Sequence, residues 1–154
     1  MKRYTLYIIY VQIALMFCFA SCKNEDDLDK IFQGRTWYMT GGVIQGKPIS
    51  GELLKTFYKG DNLYCVSFGE NTLTGTLSAG TTFSGEWQAD GKKQTMSLTI
   101  PHGISSASTF DEDLYNNVLK RVTRYKGDEN IMSLYADDYN YINFDSRRTA
   151  ESPY

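Results

Sequence analysis

The 154 residues hold one histidine, three cysteines and three prolines. Each scarcity excludes something. His102, between Pro101 and Gly103, reads as a solvated loop residue, and no His/Cys spacing suits zinc. A triad around it would need Asp111 or Asp113 to fold back, and no nucleophile elbow accompanies it. A phosphate-cradling loop is missing too, because Gly41-Gly42 lacks a following Lys-Ser/Thr. No excess of basic residues exists either, with 16 Lys and Arg against 18 Asp and Glu. Nucleic acid is therefore not an expected partner, since it demands a basic footprint. Asp111-Glu112-Asp113 could pass for a calcium cluster, but acids at that spacing also favour a first helical turn. Lys120, Arg121, Arg124 and Lys126 form a local basic patch that fits the end of the same helix. No catalytic residue set, metal site or cofactor site is expected.

The amino terminus supplies what the rest lacks, a long apolar run. Met1-Lys2-Arg3 is basic, and residues 4–20 are apolar apart mainly from Thr5 and Gln12. That is the n-region and h-region of a signal peptide. The run falls short of the ~20 apolar residues a spanning helix needs, although a retained anchor is the alternative. Phe19-Ala20-Ser21-Cys22 resembles the lipobox of bacterial lipoproteins. That resemblance implies cleavage between Ser21 and Cys22, and lipid on Cys22. An ordinary signal peptide with an incidental cysteine is the competing reading. Several acyl chains would anchor stably, each buried methylene contributing about 0.8 kcal/mol. Lys23-Asn24-Glu25-Asp26-Asp27 resembles the acidic surface-export signal of Bacteroides-type lipoproteins. It implies an outer-membrane anchor with the domain facing outward; a solvated tether facing the periplasm is the alternative.

The expected organisation is a signal peptide at 1–21, an acidic tether at 22–30, one domain at 31–145 and a polar tail at 146–154. Losing Lys2 and Arg3 leaves 14 basic against 18 acidic residues, a mature charge of −4. With Cys18 removed and Cys22 lipidated, Cys65 is the one remaining thiol, which excludes an intrachain disulfide. It sits in Leu-Tyr-Cys-Val-Ser-Phe and reads as a small buried hydrophobe.

Twelve tyrosines and eight phenylalanines favour strands. Alternation predicts strands over 35–43, 63–68, 72–77, 81–88 and 94–100. Tyr64, Val66 and Phe68 share one face, as do Phe83 and Trp87. Residues 47–60 fit a short helix or an irregular crossing strand. Asp90-Gly91 signals a type I′ hairpin turn. Thr109-Phe110-Asp111-Glu112 fits a capping box, and Phe110, Leu114 and Val118 then mark a helix over 110–120. Strands follow at 121–126, 131–136 and 139–144, with Ile142 and Phe144 inward. About eight short strands with regular turns make a mainly β chain, an antiparallel meander closing into a single barrel to remove its edges. The one short helix precedes the last strands.

Ile31-Phe32-Gln33-Gly34-Arg35-Thr36-Trp37-Tyr38, Gly85-Glu86-Trp87 with Asp90-Gly91, and Tyr125-Lys126-Gly127-Asp128 leading to Leu134-Tyr135 resemble small lipocalin-like lipoproteins of Bacteroides type. The resemblance implies a calycin-like barrel. An eight-stranded barrel is either filled by side chains or holds one small ligand. Trp37, Tyr64, Phe83, Trp87 and Tyr135 are the candidate ligand-binding residues inside it. The expected function is a lipid-anchored, non-catalytic binding module for a small apolar or glycan-like ligand. The alternative is a filled barrel that meets a protein partner through loops, as an inhibitor or assembly lipoprotein. The oligomeric state is not fixed by the sequence.

Overall fold

A computed structural model describes residues 25–57, 63–105 and 108–146. The expected signal peptide, Ser21, Cys22, residues 58–60 of the segment 47–60 and the tail beyond 146 lie outside the described residues.

Among the described residues, nine antiparallel strands form one sheet. They are β1 (Thr36–Ile44), β2 (Lys47–Pro48), β3 (Cys65–Phe68), β4 (Thr72–Thr76), β5 (Thr82–Asp90), β6 (Thr95–Thr99), β7 (Arg124–Gly127), β8 (Ile131–Asp137) and β9 (Asn140–Asp145). β1 pairs with β3 through Trp37↔Val66 and with β9 through Met39↔Phe144. That second pairing closes eight strands into a barrel, and the two-residue β2 extends the upper half of β1. Closure leaves no long open edge, which is the physical reason a meander of this length curls up. The seam is weakest between β6 and β7, which share the single pair Thr95↔Arg124.

Helices cover both ends. At one end, α1 (Leu28–Phe32) precedes β1, with Asp27 as N-cap accepting from the Lys30 amide. At the other end lie α2 (Gly51–Phe57), which follows β2, and α3 (Thr109–Asn117), which is continued by a 3-10 turn at Leu119–Arg121. The described part of the segment left open between helix and crossing strand, 47–57, resolves into a short strand and a helix.

The sheet follows its alternation. Leu73, Phe83, Trp87, Met96, Tyr125, Met132, Leu134, Ile142 and Phe144 point in and are buried. Cys65 is buried on β3. Gly42 at φ +153° lets β1 pass close to β9, since a Cβ there would collide with the Tyr141 carbonyl.

Four expectations need correcting. The described part of the acidic tether, 25–30, is folded onto the barrel: the Tyr125 hydroxyl donates to Asp26 at 2.9 Å, Gln94 Nε2 donates to it at 3.1 Å, and the Asp26 amide reaches the Gly91 carbonyl. The Asp90-Gly91 hairpin is not type I′. Its loop has four residues, 91–94, between the paired Asp90 and Thr95, and Gln94, not Gly91, takes the positive φ. Asp90 instead accepts from the Lys92 and Lys93 amides, and Gly91 is small because Asp26 packs against its Cα. The helix cap is Ser108 rather than Thr109, its hydroxyl accepting from the Asp111 amide at 3.4 Å. Tyr64 lies just before β3 with φ 51°, where the chain turns to send its ring toward the helices.

Candidate functional site

The structure places the five predicted ligand residues in three different settings. Trp37, Phe83 and Trp87 are buried within the barrel core. Phe32, delivered by α1, fills the space beside Trp87: its ring lies 5.1 Å from Phe68, 5.0 Å from Trp87 and 5.0 Å from Tyr125. These tilted and edge-on contacts suit the quadrupoles of the rings. The Trp87 indole N–H donates to the Gly69 carbonyl at 2.9 Å. The Trp37 indole N–H has no hydrogen-bond partner among the described residues, and Arg35 lies over its ring at 5.9 Å. Such a buried donor is costly unless an ordered water meets it.

Tyr64 belongs to the opposite end. Its ring packs on Phe57 at 4.5 Å and on Phe110 at 5.7 Å, so both far-end helices rest on it. Burial, with Asp111 nearby as acceptor, raises its phenol above the ordinary value of 10.0. Asp111 is fully buried, and Ser78 donates to it from both its hydroxyl and its amide. Thr81 extends the cluster through Ser78 at 3.2 Å. This polar node ties the first turn of α3 to the β4–β5 connection. It holds the start of a helix in place. Among the described residues no group of His, Cys, Asp and Glu has the arrangement to hold a metal ion.

Three surface hollows formed by the described residues bear on ligand binding. The far end carries a groove of about 290 Å³ between the β1–β2 hairpin, α2 and α3. Ile44, Pro48, Ile49, Leu53 and Phe110 give it apolar walls, while Lys47 and Asp113 stand among its polar lining groups. A second, of about 450 Å³, runs along β5 and β6 beside Val122 and Thr123. The third, of about 270 Å³, lies at the α1 end among Glu25, Asp26, Asp27, Lys30, Asp128 and Glu129. None of the three is lined by Trp37, Phe83 or Trp87.

Tyr135 corrects the reading that it lines the interior. Met132 and Leu134 point in, so strand alternation turns Tyr135 out. Its ring lies 5.2 Å from Tyr141 on β9, and the Arg124 guanidinium covers it at 4.6 Å. Sequence reasoning missed Tyr141 and the groove. Alternation with Ile142 was the available signal for the first; the groove depends on where two helices dock, which no local pattern encodes.

The fold has a solved counterpart. A crystal structure at 1.00 Å of a DUF4847 family protein from Bacteroides vulgatus ATCC 8482 superposes with a TM-score of 0.60. It is 22% identical and covers 79% of this chain and 99% of its own. That likeness is one of fold. No curated protein matches the chain. The family model for DUF4847, a domain of unknown function, matches residues 23–146, and the chain therefore belongs to the DUF4847 family.

Proposed function

We propose that this chain is a lipid-anchored cell-envelope lipoprotein, a non-catalytic binding module that takes a small apolar or glycan-like ligand in its far-end groove. Lipid on Cys22, after cleavage behind Ser21, would hold it at the outer membrane facing outward, with a periplasm-facing orientation as the alternative. The observation that carries the reading is the polarity of the barrel. The chain enters at the α1 end, and Glu25 is only three residues past Cys22, a reach of about 10 Å. The plugged end would thus sit on the membrane, and the groove would point away from it. The groove combines apolar walls with a few polar groups, the usual make-up of a small-ligand site. Its volume of about 290 Å³ sits just below the usual range of ~300–1,000 Å³, which restricts the ligand to one or two rings or a short acyl segment.

The test is a titration of the full-length protein in detergent micelles with disaccharides and with hexanoate, reading the methyl signals of Ile44, Ile49 and Leu53. Saturable shifts there, lost in Leu53→Asp, support the reading. Shifts confined to other residues, or none with either probe class, count against it. A second reading has its own observation. Tyr139, 71% exposed at the tip of the β8–β9 hairpin, stands beside Gly46 at the same end. It favours a protein partner, and a co-purifying envelope protein lost in Tyr139→Ala would support that reading instead.

A further inference from the structure

β6 and β7 are held side by side by Thr95↔Arg124 and two flanking backbone hydrogen bonds. The Met96 N–H donates to the Thr123 carbonyl at 3.0 Å, and the Tyr125 N–H to the Gln94 carbonyl at 3.1 Å. Ahead of Thr123 the chain is the 3-10 turn Leu119–Arg121, not a strand. Among the described residues, β6 past Met96 therefore has no strand beside it on that flank. The hollow of about 450 Å³ follows this divergence, between Met96, Ser97, Val122 and Thr123. One segment crosses the seam, and it begins in the acidic run. A single carboxylate oxygen of Asp26 accepts from Gln94 Nε2 at 3.1 Å, on the β5–β6 loop, and from the Tyr125 hydroxyl at 2.9 Å, on β7. The Asp26 amide donates to the Gly91 carbonyl at 3.3 Å. Gln94 is held there at φ +55°, a left-handed conformation uncommon outside glycine. Further along the same segment, the Phe32 ring bridges Trp87 of β5 and Tyr125 of β7 from inside the barrel.

We infer that residues 26–32 form a strap that clasps the β6–β7 seam, and that releasing Asp26 opens the barrel there before the rest of the fold gives way. A passive tether would rest against one flank; this segment is bonded to both flanks of the weakest ladder. Folds open in contiguous units, the least stable of them being those with the fewest internal ties. The β1–β9 and β8–β9 ladders are paired over most of their length, so the unit that opens first is strap plus seam. The far-end groove lies outside that unit, because no residue of the strap, β6 or β7 lines it. Four positions separate Asp26 from Cys22. On a lipid-anchored chain a pull on the anchor therefore reaches this clasp first. That consequence rests on the lipoprotein reading; the clasp itself does not.

Hydrogen exchange of the full-length protein in micelles, followed amide by amide by NMR, tests this. In the parent, the Met96 and Tyr125 amides, which cross the seam, should exchange through one shared opening that is faster than that of the β9 amides. Asp26→Ala should speed both about tenfold, the order expected for one lost hydrogen bond to a charged acceptor. Tyr125→Phe keeps the ring against Phe32 and removes the hydroxyl alone, so it should give a smaller change of the same pattern. Asp128→Ala is the control. That carboxylate accepts amides within a single hairpin, and its loss should leave Met96 and Tyr125 unchanged. The Ile49 and Leu53 methyl signals at the groove should stay in place in Asp26→Ala. Met96 and Tyr125 exchanging only together with β9 in the parent would make the barrel one unit and overturn the local opening. Unchanged exchange of both in Asp26→Ala overturns the clasp, and an equal acceleration in Asp128→Ala overturns its specificity. Movement of the groove methyls in Asp26→Ala would join groove and strap in one unit and also overturn the inference. None of these readouts uses a ligand, so the strap and the groove stand or fall separately.

Discussion

Phe32 touches three core rings at nearly equal distances, so truncating it removes all three contacts together. Phe32→Ala is expected to cost about 3–5 kcal/mol, read as a lower urea midpoint with an unchanged slope. Tyr125 adds a polar component at the same end. Its hydroxyl binds Asp26, and burial followed by that carboxylate raises its phenol above 10.0. A phenol raised on folding keeps its proton after the unfolded chain has lost it. The stabilisation is therefore complete below pH 10 and declines as pH rises beyond it. Tyr125→Phe should remove part of that alkaline loss and cost about 1 kcal/mol at neutral pH through the lost hydrogen bond. Denaturation midpoints at pH 7, 9 and 10.5 check both. Part of this was readable residue by residue: Trp37, Phe83 and Trp87 are buried as aromatic alternation implies, whereas Tyr64 is buried against the helices and not on the strand face. Tyr135 was not, because aromatic character alone does not say which face of a strand it occupies.

Three of the β-hairpins share one device. Asp90, Asp128 and Asp137 each begin a turn and accept backbone amides from residues two or three further on. Those hydrogen bonds are the leading cause that holds Asp90 and Asp128 below the ordinary carboxylate value; for Asp137 the Asn140 side chain comes first, then the Tyr139 amide. A carboxyl lowered on folding stabilises above the unfolded value near pH 3.9 and loses that contribution as pH falls below it. The triple Asp→Asn variant should thus show a flatter fall in melting temperature between pH 5 and pH 3 than the parent. Gly42 tests strand closure in a different way. Gly42→Ala puts a side chain at φ +153° and against the Tyr141 carbonyl, and is expected to cost at least about 1–3 kcal/mol. The strands were legible because alternation, turn residues and register all agree. The Asp90-Gly91 turn type was not, because its geometry depends on Asp26 from a distant segment packing against Gly91.

As a whole, the molecule is a barrel with a plug and a rim. The plug was the least legible part: an acidic run after a cysteine looks like a tether, yet Asp26 and Phe32 are the residues that dock it. The rim groove needed two helices to be placed before it existed. Lipid anchoring is a claim about residues 1–22 and is tested apart from the fold. Mass spectrometry of the membrane-extracted protein should find a chain beginning at Cys22 with acyl chains attached, and Cys22→Ser should abolish them. A chain retaining residues 1–21, or a soluble unmodified one, would contradict the anchor.

The measurement that bears most directly on the account is the pair of indole N–H signals of Trp37 and Trp87, recorded by NMR with and without the disaccharides and hexanoate named above. The protein has only these two tryptophans, and both sit inside the barrel. Binding in the groove predicts that both signals stay put while those of Ile44, Leu53 or Phe110 move. A ligand that shifts the Trp37 signal by meeting its indole N–H directly would place the site in the interior and contradict a filled barrel that works through its surface.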